Sequence, residues 1–125
     1  MNQQKWLKKK IPNEWMDKDA LLELLVFECL VHFVEKEKGL SQADLDWSEA
    51  LESGFISQEH VDRIRRTEGE LKHCYNYIKE KRPKMVEKMN STDDGLEFDR
   101  LEKELYDEDT FVMNVIIENR GYLWS

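Results

Sequence analysis

Residues 20–34 read ALLELLVFECLVHFV, and their pattern decides the fold. Leu21, Leu22, Leu24, Leu25, Phe27, Leu30, Val31, Phe33 and Val34 cover nearly a whole helical circumference. A helix that is apolar all round belongs in the middle of a bundle. The run is too short to cross a bilayer and is broken by Glu23, Glu28 and His32, so it reads as a core helix. Asp17 before it and Gly39 after it set a helix over 17–38, with the glycine as its stop.

Working outward, residues 1–16 combine Lys5, Lys8, Lys9 and Lys10 with Trp6 and Trp15, and Pro12 ends any helix begun there. They predict a basic, aromatic strap whose tryptophans lie on the core. No apolar signal-peptide region is present in it, so secretion is not expected. On the other side, residues 41–55 are polar with spaced anchors Leu45, Trp47 and Leu51, which predicts a short helix packed by Trp47 and closed by Ser53-Gly54. Ser57 is a good N-cap for a second long helix over 58–82, stopped or kinked at Pro83. Its inward side carries Val61, Ile64, Leu71, Cys74, Tyr75 and Ile78. NSTDDG, at 90–95, reads as a loop in which Asp93 or Asp94 caps a last helix over 96–119. That helix presents Phe98, Leu101, Leu105, Val112, Val115 and Ile116 inward.

Beyond it, Gly121 sits where a left-handed capping glycine belongs, so Tyr122, Leu123 and Trp124 can fold back over the end of the bundle. The alternative role for these aromatic residues, and for Trp6 and Trp15, is docking onto a partner, because Trp and Tyr dominate interface hot spots. The expected architecture is one all-α domain over 1–125, an irregular helical bundle with one central apolar helix and two long amphipathic ones.

Composition agrees. The 125 residues are 40% hydrophobic and 37% charged, with only 5 Gly and 2 Pro, which favours long helices in a single domain. The formal net charge of −8 leaves no excess of cations to pair with phosphates, which argues against a nucleic-acid or membrane-surface binder. Arg63, Arg65, Arg66, Lys72, Lys79 and Lys81 make the second long helix basic, but the acidic last helix beside it is expected to neutralise much of that field. Cys29 and Cys74 both fall inside apolar helical patterns, as buried unpaired thiols of a reducing cytoplasm do.

Candidate chemistry is sparse. Glu28, His32 and Glu35 share a helix face, and Glu70 and His73 form a Glu-x-x-His pair of the kind bundle metal sites use. Such a site needs a second pair and further carboxylates, so hydrogen bonding of Glu28 and His32 to neighbours is the simpler reading. Glu49/Glu52 and Glu104/Asp107 are carboxylate pairs one turn apart, able in principle to hold magnesium for a phosphohydrolase. In a chain so rich in acids they also arise as a solvated face. Leu101 stands where a calcium loop beginning at Asn90 would need its closing Glu. No phosphate loop, Gly-x-Ser-x-Gly or Cys-x-x-Cys occurs, and no cofactor is expected.

Several blocks, in order, resemble a family of small proteins from tailed bacteriophages: PNEWMDKDALLELLVFECLVHFVEKE, DW, YNYIKEKRP and LEKELYDEDTFVMNVIIENRGYLWS. The matching residues include Trp15, Asp17, Asp19, Phe33, Val34, Glu35, Arg82, Pro83, Glu108, Asp109, Thr110, Arg120, Leu123 and Trp124. No activity attaches to that family. The resemblance implies that Glu35 or Asp109 pairs with Arg82 or Arg120, either locking the bundle or lining a shared pocket. The expectation is therefore a non-enzymatic phage accessory protein that binds another protein in the host cytoplasm. A metal-binding bundle or metal-dependent phosphohydrolase using Glu28, His32, Glu35, Glu70 and His73, and a virion or assembly component, are the alternatives. A homodimer is also expected as an option, since the first helix carries more apolar surface than a small bundle needs.

Overall fold

The computed structural model describes residues 18–123, so the strap expected over 1–16, with Trp6 and Trp15, and the terminal Trp124 lie outside the described residues. Helix α1 spans Lys18–Glu35, α2 Ser48–Glu52, α3 Gln58–Asn76, α4 Arg82–Ser91, α5 Gly95–Glu118 and α6 Arg120–Leu123. A π-helical turn, Tyr77–Lys81, joins α3 to α4. Among the described residues no strand occurs, and the fold is an all-α helical bundle.

The core forms where three apolar stripes meet. Val26, Phe27, Leu30 and Phe33 of α1 pack against Leu71 and Cys74 of α3, Tyr77, and Val112 and Ile116 of α5, with Leu123 closing one end. Leu30, Leu71 and Ile116 retain 0% of their surface. Each such burial contributes roughly 1.5–3 kcal/mol. Outside this stripe, Leu21, Leu24, Leu25 and Val31 of α1 are half-buried, and Leu22 is 50% exposed. The α3–α4 rod runs antiparallel to its neighbours: Tyr75 meets Glu35 and Arg82 lies over Phe27, while Glu70 meets Asn119 and Arg82 meets Asp109.

Local chemistry explains the helix starts. Ser57 accepts a hydrogen bond from the His60 N–H at 3.2 Å, and Asp94 accepts one from the Leu96 N–H at 3.0 Å. Trp47 precedes α2 and donates its ring N–H to the Gln42 carbonyl at 3.1 Å. Gly54, at φ 75, turns the chain out of that short helix.

Three endings differ from the sequence expectation. First, α1 stops at Glu35, and Lys38, at φ 55, is the residue in the left-handed conformation rather than Gly39. Gly39 serves another purpose: a Cβ there would overlap the Phe33 ring, over which the backbone passes while its N–H bonds the Phe33 carbonyl at 2.9 Å. Second, of the stop or kink expected at Pro83 the stop does not occur: the rod runs past residue 82 to Ser91. Proline cannot supply the N–H that an i−4 carbonyl needs, and its ring crowds that carbonyl. The π-helical turn relieves this by widening the backbone just before it, so that the Arg82 N–H bonds the Tyr77 carbonyl. Third, Gly121 is not left-handed. The chain breaks at Asn119, at φ −101 and ψ 16, and resumes as the single turn α6.

Candidate functional site

The periodicity of α3 puts Val61, Ile64, Glu68, Leu71 and Cys74 on its buried side. Four are apolar; Glu68 is a carboxylate only 3% exposed. Burying a charge without partners costs several kcal/mol, so its neighbours must answer for it. The Ala43 N–H donates to one oxygen at 2.9 Å, and the Gln42 N–H lies 3.2 Å from both. The Tyr122 hydroxyl donates to the other oxygen. One side chain of α3 thus pins the loop after α1 and the final turn α6 to the same point. Tyr122 is also held edge-on to Phe33, with ring centroids 6.0 Å apart. Burial and the adjacent Glu68 charge push its hydroxyl pKa well above the tyrosine range.

With the loop pinned at Glu68, an open groove of about 780 Å³ remains between loop and helix. Val34, Leu40 and Ala43 line it from the α1 and loop side, with Asp44 on the loop. Arg65, Gly69, Lys72, Tyr75 and Asn76 line it from α3. Gly69 occupies a helix interior, where glycine costs roughly 0.5–1 kcal/mol relative to alanine. Packing does not require it: a Cβ at that position would meet nothing within 4 Å. The missing side chain leaves the middle of the α3 wall open. Arg65 donates through Nε to the Ala43 carbonyl at 3.2 Å. Neither Arg65 nor Lys72 has a carboxylate within ion-pair distance among the described residues.

Of the pairings expected among Glu35, Asp109, Arg82 and Arg120, the Asp109–Arg82 one forms, through two hydrogen bonds of 2.9 and 3.0 Å, and the Tyr77 hydroxyl donates to the same Asp109 at 2.6 Å. Asp109 is 3% exposed and the Arg82 guanidinium lies 5.7 Å from the centre of the Phe27 ring. Burial, then the Asp109 charge, drives the Tyr77 hydroxyl pKa far upward. Glu35 instead accepts from the Tyr75 hydroxyl at 2.6 Å and faces Lys79 at 3.3 Å. The Tyr75 hydrogen bond, with Lys79 and Lys36 behind it, holds the Glu35 carboxyl below its ordinary range. Arg120 is exposed and donates to the Ile117 carbonyl near the end of the preceding helix α5 at 3.0 Å.

The metal candidates do not converge. Among the described residues no group of three or more His, Cys, Asp or Glu side chains is placed to hold a metal ion. Buried His32 lies with Nδ1 3.4 Å from Glu37, Glu70 accepts from the Asn119 amide at 3.1 Å, and His73 is exposed. Glu28 and Glu35 line a separate, smaller depression with Lys79 and Arg82. The magnesium-type pair is engaged elsewhere: Glu104 with Arg100 at 2.6 Å and Asp107 with Lys103 at 2.9 Å. Glu49 and Glu52 are exposed on α2. Glu97, Arg100, Lys103, Glu104 and Asp107 are thus paired within α5, and the pairs to the basic rod are Lys81–Glu108 and Arg82–Asp109. Cys74 is buried and Cys29 half-buried, both as free thiols.

Sequence reading passed over Glu68, Gly69 and the groove. A carboxylate in the stripe 61, 64, 68, 71 was the available signal for the first. The loop that forms the opposite wall has no periodicity to read. No helix among the described residues is long and apolar enough to cross a membrane. Comparison with family models, curated proteins and solved structures finds no match to this chain.

Proposed function

We propose that this chain is a non-enzymatic accessory protein of a tailed bacteriophage, acting in the host cytoplasm by binding another protein through the groove beside Gly69. The observation that carries the reading is the groove itself: an apolar-lined cleft whose α3 wall is left bare by a helix-interior glycine that packing does not demand. Open apolar concavities with a few polar groups at their edge are where ligands and peptide segments bind. The ordered resemblance of the sequence blocks to small phage proteins supports the origin. Tyr122 contributes from inside, by holding the groove's loop through Glu68, rather than as an exposed anchor.

The test uses a variant that fills the groove without harming the helix. Gly69→Leu adds a good helix former where space is open, so the bundle is expected to stay folded. Affinity capture from host lysate should retain a specific protein on the intact chain and lose it on Gly69→Leu, with unchanged helicity by circular dichroism. A captured protein indifferent to Gly69→Leu, or no specific capture, refutes the proposal. Light scattering on the purified chain reads out whether the occupant is a second copy.

A further inference from the structure

We infer that the groove receives an acidic segment of the partner protein, with one large apolar side chain seated over Gly69 between two carboxylates that meet Arg65 and Lys72. This deepens the interaction reading proposed above and rests on it. Arg65 and Lys72 flank Gly69 at i−4 and i+3, and so share its helix face. Seven residues of helix separate their Cα atoms by about 10 Å along the axis. Both are exposed, and neither has a carboxylate within ion-pair distance among the described residues. The Arg65 contact to Ala43 uses Nε, which leaves the terminal guanidinium nitrogens for a carboxylate from outside.

The groove's own acids do not compete for that role. Glu68 lies beneath the surface with both oxygens engaged by Gln42, Ala43 and Tyr122. Asp44 lines the loop wall and makes no ion pair with Arg65 or Lys72 among the described residues. Between the cations the surface turns apolar, with Val34, Leu40 and Ala43 facing the bare helix at Gly69. The complementary ligand is acid–apolar–acid, with its carboxylates about 10 Å apart. That spacing is three residues of extended chain, or two turns of a helix. Nucleic acid fits less well, because two cations beside an apolar wall cannot supply the many phosphate contacts on which its affinity depends.

The experiment is selection of a displayed random 12-residue peptide library on the intact protein, followed by fluorescence anisotropy with the synthetic consensus peptide. The expected consensus holds an aromatic or large aliphatic residue flanked by Asp or Glu. Its affinity should fall at least tenfold on Lys72→Glu, a change at an exposed side chain that has no ion pair to lose among the described residues, and again on Gly69→Leu. Added salt should weaken it. Enrichment of neutral or basic peptides, no enrichment, or binding indifferent to Lys72→Glu overturns the inference. The two levels fail separately. A lysate partner lost on Gly69→Leu, alongside peptides that are not acidic, leaves the interaction reading standing and removes only this one. A lysate partner indifferent to Gly69→Leu removes the groove reading whatever the peptides show.

Discussion

Replacing Glu68 by Gln keeps the shape of the buried side chain and removes its charge. The amide can turn its oxygen to the Gln42 and Ala43 N–H groups and offer its nitrogen to the Tyr122 oxygen, so the geometry survives. What is lost is charge assistance. Hydrogen bonds to a charged group contribute about 1.5–3 kcal/mol each against about 0.5–1.5 for neutral ones, and relief from burying a charge returns part of the difference. The net cost expected is about 1–2 kcal/mol. Tyr122→Phe removes one charged bond and is expected to cost about 1.5–3 kcal/mol. If the two act through the bond the structure shows, their effects will not add, and the double variant will be about 1 kcal/mol less destabilised than the sum. Urea denaturation followed by circular dichroism measures all four corners of the cycle. Amide exchange at Gln42 and Ala43 provides the local readout, since protection there should fall with Glu68→Gln. Additivity to within about 0.3 kcal/mol would refute the claim that Glu68 ties the final turn to the loop.

Asp109→Ala strips the partner from Arg82 and from the Tyr77 hydroxyl and is expected to cost about 3–5 kcal/mol in the same assay, whereas Asp109→Leu with Arg82→Met should recover most of it. Gly39→Ala should cost about 1–3 kcal/mol by forcing the Phe33 ring aside, and Phe33→Leu should reduce that penalty, which thermal unfolding of the single and double variants would show. Glu35 has its folded pKa below the unfolded one, so it adds stability that is present above the ordinary carboxylate range and lost as pH falls through the folded pKa. Tyr75→Phe removes the largest cause, so the Glu35 carboxyl should titrate higher by NMR and stability should fall less steeply in acid. Burial, with Glu70 behind it, pushes the Cys74 thiol from 9.0 up to about 11; this raised pKa contributes stability below about 9 that is lost as pH climbs toward 11. Thiolate absorbance should accordingly rise near pH 11 in the folded protein and about two units lower in urea.

Much of the backbone was legible in the chain. The α class, the long helices and the caps at Ser57 and Asp94 follow from signals confined to a few consecutive residues: apolar periodicity, an oxygen-bearing side chain before a helix, scarcity of glycine. For Leu123 the chain left two roles open, packing back on the bundle or docking on a partner, and the structure places it in the core. Where signals of the same kind misled, a contact from elsewhere had won. Gly39 looked like a left-handed stop, yet the ring of Phe33 beneath it sets the need for glycine. Pro83 read as a stop or a kink, and the π-helical turn and the Arg82–Asp109 pair, its carboxylate buried, carry the rod past it.

The residues of the candidate site were the least legible, and the reason is physical. A glutamate on a helix reads the same whether its carboxylate meets water or two backbone amides from 25 and 26 residues away. The same holds for Asp109, which could be known as acidic but not as the buried end of an arginine fork. Helix formation depends on neighbours within four positions and is written locally. Charge burial, the widened turn before Pro83 and the cleft beside Gly69 depend on which helices meet, and only the packed bundle decides that.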